Sequence, residues 1–354
     1  MKNFDVQMTL FAKGVACCLL LWHHLFYQHP EYGQYVQSTA QLARVCVAVF
    51  VMLSGYGLSA SSSKLKPLEF YRIRLSKLYI GYWCVFAVFV PISWVFFGRG
   101  LYEVFNGHEW IKFLFQLAGL QSYYGGYGFN PTWWFMSAII PLYFLFPLLE
   151  RMARSRMGGT ILVAVSCVML FGWLVFSVWL LPFAVGILAE KHNGFIRARA
   201  AMEKLGWGVA LPLFIVAGSL IVWGRSSSWA LGGVRFDSVF AFWIILGSVI
   251  AFPAMQRIRI DRLVSFVGEH SMNIFLLHTF LYYYFFPDFF YQFKNPLVVF
   301  VALLLASLAV SVALEWCKRI VGVPRLERFI RELDCDRIKL QTNHSSVNHE
   351  HPLQ

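Results

Sequence analysis

Charge is the scarcest property of this chain. Asp, Glu, Lys and Arg make up only 14% of its 354 residues, against 58% for the apolar set AVILMFWYC. A soluble domain carries about 25% charged residues, so a globular surface of this size would go uncovered. A long polar stretch is also missing, which excludes one or two anchors followed by a soluble domain. Acidic residues are few, 18 against 30 Lys and Arg, for a net charge of +12. The basic excess makes no nucleic-acid face, because it stands in short clusters between apolar runs, the pattern of topology signals. No internal repeat is visible. The seven cysteines include no CxxC pair, and an odd number lying mostly inside apolar runs reads as small buried hydrophobes, with no disulfide framework and no zinc site.

What is present is apolar runs of spanning length, at 8–27, 41–60, 76–98, 132–150, 159–177, 179–190, 207–223, 238–254, 265–286 and 296–317. By the criterion of ~20 residues per span they predict an all-α, polytopic transmembrane bundle of about ten helices. The sixth run is short and reads as tilted or partly re-entrant. The piece at 110–120 reads as an interfacial helix within a loop. With the N-terminus inside, 23 of the 30 Lys and Arg fall in inner segments and 5 in outer ones, with Lys13 and Arg44 inside predicted spans. That bias predicts both termini in the cytoplasm. The first run lacks a small-residue cleavage site and a lipobox, so it reads as a span and not as a signal peptide. The expected organisation is a membrane domain at 1–317, a cytoplasmic amphipathic segment at 318–340 and a disordered tail at 341–354. The amphipathic segment carries Leu326, Phe329, Ile330 and Leu333 at helical spacing.

Ionisable groups inside a span cost several kcal/mol, by the rough scale for membrane interiors, and are functional candidates by default. The first span holds Lys13, His23 and His24. Lys13 and His24 are eleven residues apart, a rise of about 16.5 Å and a rotation roughly 20° from three whole turns. They therefore share a helix face, Lys13 in the inner half and His24 near the outer end, with His23 turned roughly 100° away. Taken singly, Lys13 also reads as a snorkelling lysine and His24 as an interfacial histidine. A second cluster, FYRIRLSKLYIGYW at 70–83, sets Arg72, Arg74 and Lys77 among aromatics. It reads either as a positive-inside belt or as a phosphate clamp. Secondary candidates are Ser54, in the Ser54-Gly55 pair that loosens or closely packs a helix, and His278 in the ninth span. Pro141 lies mid-span in the fourth and implies a kink. GGYGFNP at 125–131 reads as a flexible outer loop without a phosphate role.

These pieces in this order resemble the acyltransferase-3 family of integral membrane acyltransferases. The family opens with Arg, ten residues, then His, and Lys13 and His24 keep the spacing. VFVMLSGY, FYRIRLSKLYIGYW, the Trp134–Leu149 stretch and the Gly268–His278 stretch are similar to its later motifs. The chain departs from the pattern at Lys13 and Lys77, where Arg is usual, and at Ile139, where many members carry Glu. Lysine keeps the charge and loses bidentate geometry.

The resemblance implies an O-acyltransferase of cell-envelope or exported polysaccharide, in the multi-pass cytoplasmic membrane of a bacterium. The donor it implies is a cytosolic acyl-CoA, above all acetyl-CoA, used as a substrate with no tightly bound cofactor. The acceptor is an envelope glycan or lipid-linked sugar. Arg72, Arg74 and Lys77 would then hold the donor phosphates, and His24 would be the base, its ordinary pKa of about 6.5 suiting proton removal at neutral pH. A transporter or flippase, or a non-catalytic subunit of a polysaccharide assembly complex, are the competing readings of a ten-helix bundle with inward polar groups. No inverted repeat or matched pair of broken spans supports the former.

Overall fold

The computed structural model describes residues 4–62, 65–126, 128–226 and 236–332. Helix dominates, and no strand occurs among the described residues. The first helices are α1 (Val6–Phe26), α2 (Gln34–Ala43), α3 (Cys46–Ser62), α4 (Pro67–Phe97), α5 (Leu101–Phe105) and α6 (Glu109–Leu117). Then follow α7 (Trp134–Met152), α8 (Arg156–Met169), α9 (Ser177–Lys191), α10 (Gly194–Leu205), α11 (Trp207–Ser226) and α12 (Asp237–Arg257). The last are α13 (Ile260–Glu269), α14 (Ser271–Thr279), α15 (Pro287–Tyr291), α16 (Pro296–Ile320) and a helix α17 over 323–332.

Seven helical stretches are long and apolar enough to cross a bilayer: Val6–Phe26, Gln34–Ser62, Pro67–Phe97, Pro131–Met152, Trp207–Ser226, Asp237–Arg257 and Pro296–Ile320. α11 buries only Ala210 and Gly218, and turns Leu213, Ile215, Leu220 and Trp223 outward. A surface this apolar belongs in lipid. The chain is a multi-pass membrane protein.

Three predicted runs take other forms. The run at 159–177 gives α8, which ends at Met169, and the run at 179–190 gives the 15-residue α9. The run at 265–286 is not one helix. It is interrupted after Glu269, resumes as α14, and passes into a π-helical turn, Phe280–Phe285. The π turn accompanies a diverted carbonyl. The Phe280 amide turns to the Leu277 carbonyl, while the Leu276 carbonyl accepts from Asn130 Nδ2 (3.0 Å) and Trp133 Nε1 (2.9 Å).

The same contacts correct the reading of 125–131 as a flexible loop for its second half, 129–131. Phe129 and Asn130 are fully buried. The Gln116 side chain accepts from the Phe129 amide (3.1 Å), and Asn130 Oδ1 accepts from the Thr132 amide (2.9 Å). Buried amides found the partners that solvent would otherwise supply. α7 runs as one helix through Pro141 and Pro147.

Inside lipid, helices gain little from hydrophobic burial and associate through close packing of small residues. A Cβ on Gly14 would stand 1.9 Å from the Val264 carbonyl oxygen, and one on Gly268 1.9 Å from that of Leu10, so α1 and α13 meet backbone to backbone. Gly55 and Gly186 join α3 to α9 in the same way, their missing Cβ atoms 2.2 Å from the Phe183 oxygen and 2.0 Å from the Met52 oxygen. The Ser54-Gly55 pair therefore packs a helix closely. At the ends that the charge bias assigns to the inner side, Ser59 Oγ lies 2.9 Å from the Glu150 carboxylate and 2.8 Å from that of Glu190, and Lys191 Nζ reaches Glu150 at 2.5 Å. α17 sets Glu327, Ile330 and Arg331 against Ile73 and Ile80 of α4. Leu333 and the tail at 341–354 lie outside the described residues.

Candidate active site

The last turn of α1 borders a cavity of about 640 Å³. His23, His24 and Tyr27 form one wall, Thr132 and Trp134 a second, and Thr279 with Tyr282, Tyr283 and Tyr284 a third. His24 faces His278 of α14, ring centre to ring centre 5.0 Å. His278 is fully buried, and its Nδ1 lies 2.9 Å from the Ile274 carbonyl and 3.0 Å from that of Phe275. Both partners are acceptors, so Nδ1 carries the proton and Nε2 keeps a lone pair. His23 is fixed likewise, donating from Nδ1 to the Ala40 carbonyl at 2.8 Å. Among the described residues, His24 alone of the three is held by ring contacts without a hydrogen bond. Its nitrogens are available to a ligand.

His23 is not turned away from this chemistry, as its helical angle predicts. Its ring stacks on Tyr27 and packs edge-on to His24 at 4.9 Å. The cavity wraps around the end of α1, so two neighbouring helix positions both border it.

Lys13 lies on a second, smaller cavity of about 150 Å³. Ser54 and Tyr143 also line it and share a side-chain hydrogen bond. Apart from Ser271 the other walls are apolar, including Ile139, and no acid lines it. The Phe135–Phe275 pair, with centroids 4.7 Å apart, stands at its outer end, and Phe275 in turn meets the His278 ring. Lys77 is near enough for its charge to be felt at Lys13.

A third cavity, of about 500 Å³, opens at the inner ends of α3 and α7. Its cations are Lys66, Arg151 and Arg154. None of Arg72, Arg74 and Lys77 lines it. Arg74 instead donates from Nε to Ser62 Oγ (2.7 Å) and from Nη2 to Ser61 Oγ (2.9 Å), and Lys77 borders the groove under α17. On a helix, positions 74 and 77 lie about 60° apart and position 72 roughly opposite, so the three cations that are compact in sequence do not converge on one face.

The three cavities follow one another along α7. Arg151, Glu150 and Phe146 line the inner one, Tyr143, Ile139 and Phe135 the middle one, and Trp134 with Thr132 the outer one. Among the described residues, no group of three His, Cys, Asp or Glu is arranged to hold a metal ion.

A family model of acyltransferase-3 proteins, described as an acyltransferase domain, matches residues 11–316. The chain belongs to the acyltransferase-3 family. It is a membrane acyltransferase, and the matched region contains all three cavities. No curated protein and no solved structure matches the chain. Sequence reasoning did not single out several residues that line the three cavities. Arg44, on the outer cavity, had a signal, being an ionisable residue within an apolar run. Lys66, Arg151 and Arg154 were counted only as topology charges, and Tyr143 had no signal among so many aromatics.

Proposed function

We propose that this acyltransferase moves an acyl group, acetyl in the simplest case, from cytosolic acyl-CoA to a hydroxyl of a polysaccharide sugar in a bacterial envelope. The observation that carries the reading is the order of the cavities: cations at the inner end, a narrow middle, and a roomy histidine-lined outer end. The donor phosphates meet Lys66, Arg151 and Arg154, with Arg72, Arg74 and Lys77 adding charge on the same inner side. The thin arm of the donor passes Lys13, Ser54 and Tyr143, where Lys13 donates to its amide carbonyls. In the outer cavity His24 takes the proton of the acceptor hydroxyl, and the oxygen attacks the thioester carbonyl. The C–S bond breaks, the thiolate takes the proton from the His24 imidazolium, and ester and free CoA result. His278 positions His24 through its ring contact. The test is mass spectrometry of envelope glycans with and without the gene. Loss of an acyl increment is expected, and unchanged glycans would refute the proposal.

Two further outcomes follow. Arg151→Gln with Arg154→Gln should raise the donor KM by about tenfold or more, since a charged hydrogen bond contributes roughly 1.5–3 kcal/mol, and should change kcat less, as lost ground-state binding does. The pair Arg72→Gln with Lys77→Gln should have a smaller effect. Initial rates against donor concentration decide, and equal effects in both pairs would leave the inner cavity without a special role.

Lys13→Met should lower activity by about tenfold or more while raising the melting temperature, because no acid lines the cavity to compensate the charge and removing it relieves a burial cost. Lys13→Arg should keep most of the activity. Full activity in Lys13→Met would reduce Lys13 to a snorkelling residue.

A further inference from the structure

Outside the three cavities, an apolar groove of about 440 Å³ runs between α1, α2 and α12. Leu19, Trp22, Leu42, Phe240 and Ile244 form its walls. The one hydroxyl within it other than that of the exposed Tyr35 belongs to Thr39 and is already engaged, accepting from Trp22 Nε1 (3.1 Å) and donating to the Val36 carbonyl (2.8 Å). The groove ends at the break between α2 and α3. There Ala43 and Val45 line it, while Arg44 between them lines the histidine cavity. One turn of chain thus faces an apolar trough on one side and the candidate acceptor space on the other, with a guanidinium at the junction.

Arg44 makes no close ion pair with a carboxylate among the described residues, although its charge is felt at Asp237. No acid lines the cavity. Of the acids that flank it, Glu31 accepts from His29 Nδ1 at 2.6 Å, and Asp237 is paired with Arg225 Nε at 2.6 Å. A guanidinium binds phosphate oxygens bidentately and is weakly hydrated, which suits it to a phosphate at a membrane boundary.

We infer, resting on the acyl-transfer reading, that the acceptor arrives as a lipid-linked sugar. Its polyisoprenyl chain lies in the groove of α1, α2 and α12, its phosphate meets Arg44, and its sugar enters the histidine cavity. A free glycan would need neither the trough nor the cation beside it. The trough orients the chain by shape, since a chain that leaves lipid gains little from hydrophobic burial, and Arg44 fixes how far the sugar reaches toward His24.

The test is native mass spectrometry of the full chain in nanodiscs of zwitterionic lipid. The probes are a polyisoprenyl phosphate, the polyisoprenol of equal chain length, phosphatidylglycerol and inorganic phosphate. The polyisoprenyl phosphate should bind one per protein and about tenfold more tightly than the alcohol, the scale of one charged hydrogen bond. Arg44→Gln should abolish that difference and Arg44→Lys retain part of it. Ala43→Leu, which narrows the groove, should weaken the polyisoprenyl phosphate. Acyl-CoA binding to the same preparations reports that each variant is folded.

Equal binding of phosphate and alcohol by the wild-type protein would overturn the inference. So would equal competition by phosphatidylglycerol, which would make the site one for ordinary anionic lipid. Full displacement by inorganic phosphate would leave an anion site without a lipid. Because binding is read without turnover, its failure is distinct from a failure of acyl transfer, which the glycan analysis reads.

Discussion

His24→Ala is expected to lower acyl transfer by about a hundred- to ten-thousand-fold, the range that a positioned general base contributes, with the protein still folded and inserted. Both expectations come from the same geometry. The His24 ring contributes contacts to His23, Tyr27 and His278 but no hydrogen bond that holds a helix, so its loss removes chemistry and little structure. The neighbouring histidines should behave differently. His23→Ala removes the bond from Nδ1 to the Ala40 carbonyl that ties α1 to α2, leaving a buried acceptor unmet at a cost of about 1–3 kcal/mol. Its melting temperature should fall while part of the activity survives. Acylated glycan per unit of folded protein, together with a melting curve, separates the two. Wild-type acylation by His24→Ala would remove His24 from the reaction.

Gly268→Val should yield little folded protein. The new Cβ would stand 1.9 Å from the Leu10 carbonyl oxygen and 3.0 Å from the Gly14 amide nitrogen. These are backbone atoms in the middle of α1, so no side chain can swing aside and the helices must separate. Overpacking of a core costs roughly 1–3 kcal/mol when side chains can adjust, and more is expected here. The separation would also break the close approach at Gly14 and Val264 and displace the helix that carries both Lys13 and His24. Gly208→Ala on α11 is the control, since nothing lies within 4 Å of its Cβ position. Size-exclusion profiles and melting curves after mild solubilisation are the readout. A monodisperse Gly268→Val protein with wild-type melting would mean that α1 and α13 are not locked together.

The helical membrane architecture was legible because it depends on composition and run length, which a bilayer reads almost directly. The 3.6-residue period was enough to place Lys13 and His24 toward one side of α1, and both border cavities that α14 also lines. Adjacency between helices was not legible. Arg72, Arg74 and Lys77 are near in sequence yet do not share a cavity, whereas Lys66 and Arg151 are far apart and do. His23 was misjudged because a helical angle says where a side chain leaves the axis, not how far a cavity extends around it. The interruption at Glu269 and the π turn were hidden for a related reason. Each depends on a partner from elsewhere in the chain: α1 pressing on Gly268 in one case, Asn130 and Trp133 at the Leu276 carbonyl in the other.

The π turn has a consequence for how such a protein can change over generations. Tyr282, Tyr283 and Tyr284 are consecutive, and all three line the outer cavity, although an α-helix would spread them over roughly 200°. A π turn holds one residue more than the α-helical turn it replaces. Deleting one residue within 281–285 would restore α-helical register and swing the aromatic wall by roughly 100°. His278 lies upstream, its proton held by the carbonyls of Ile274 and Phe275, and would stay in place. The aromatic wall of the outer cavity can therefore vary independently of the His24–His278 pair, and a single codon loss would reshape the one without rebuilding the other.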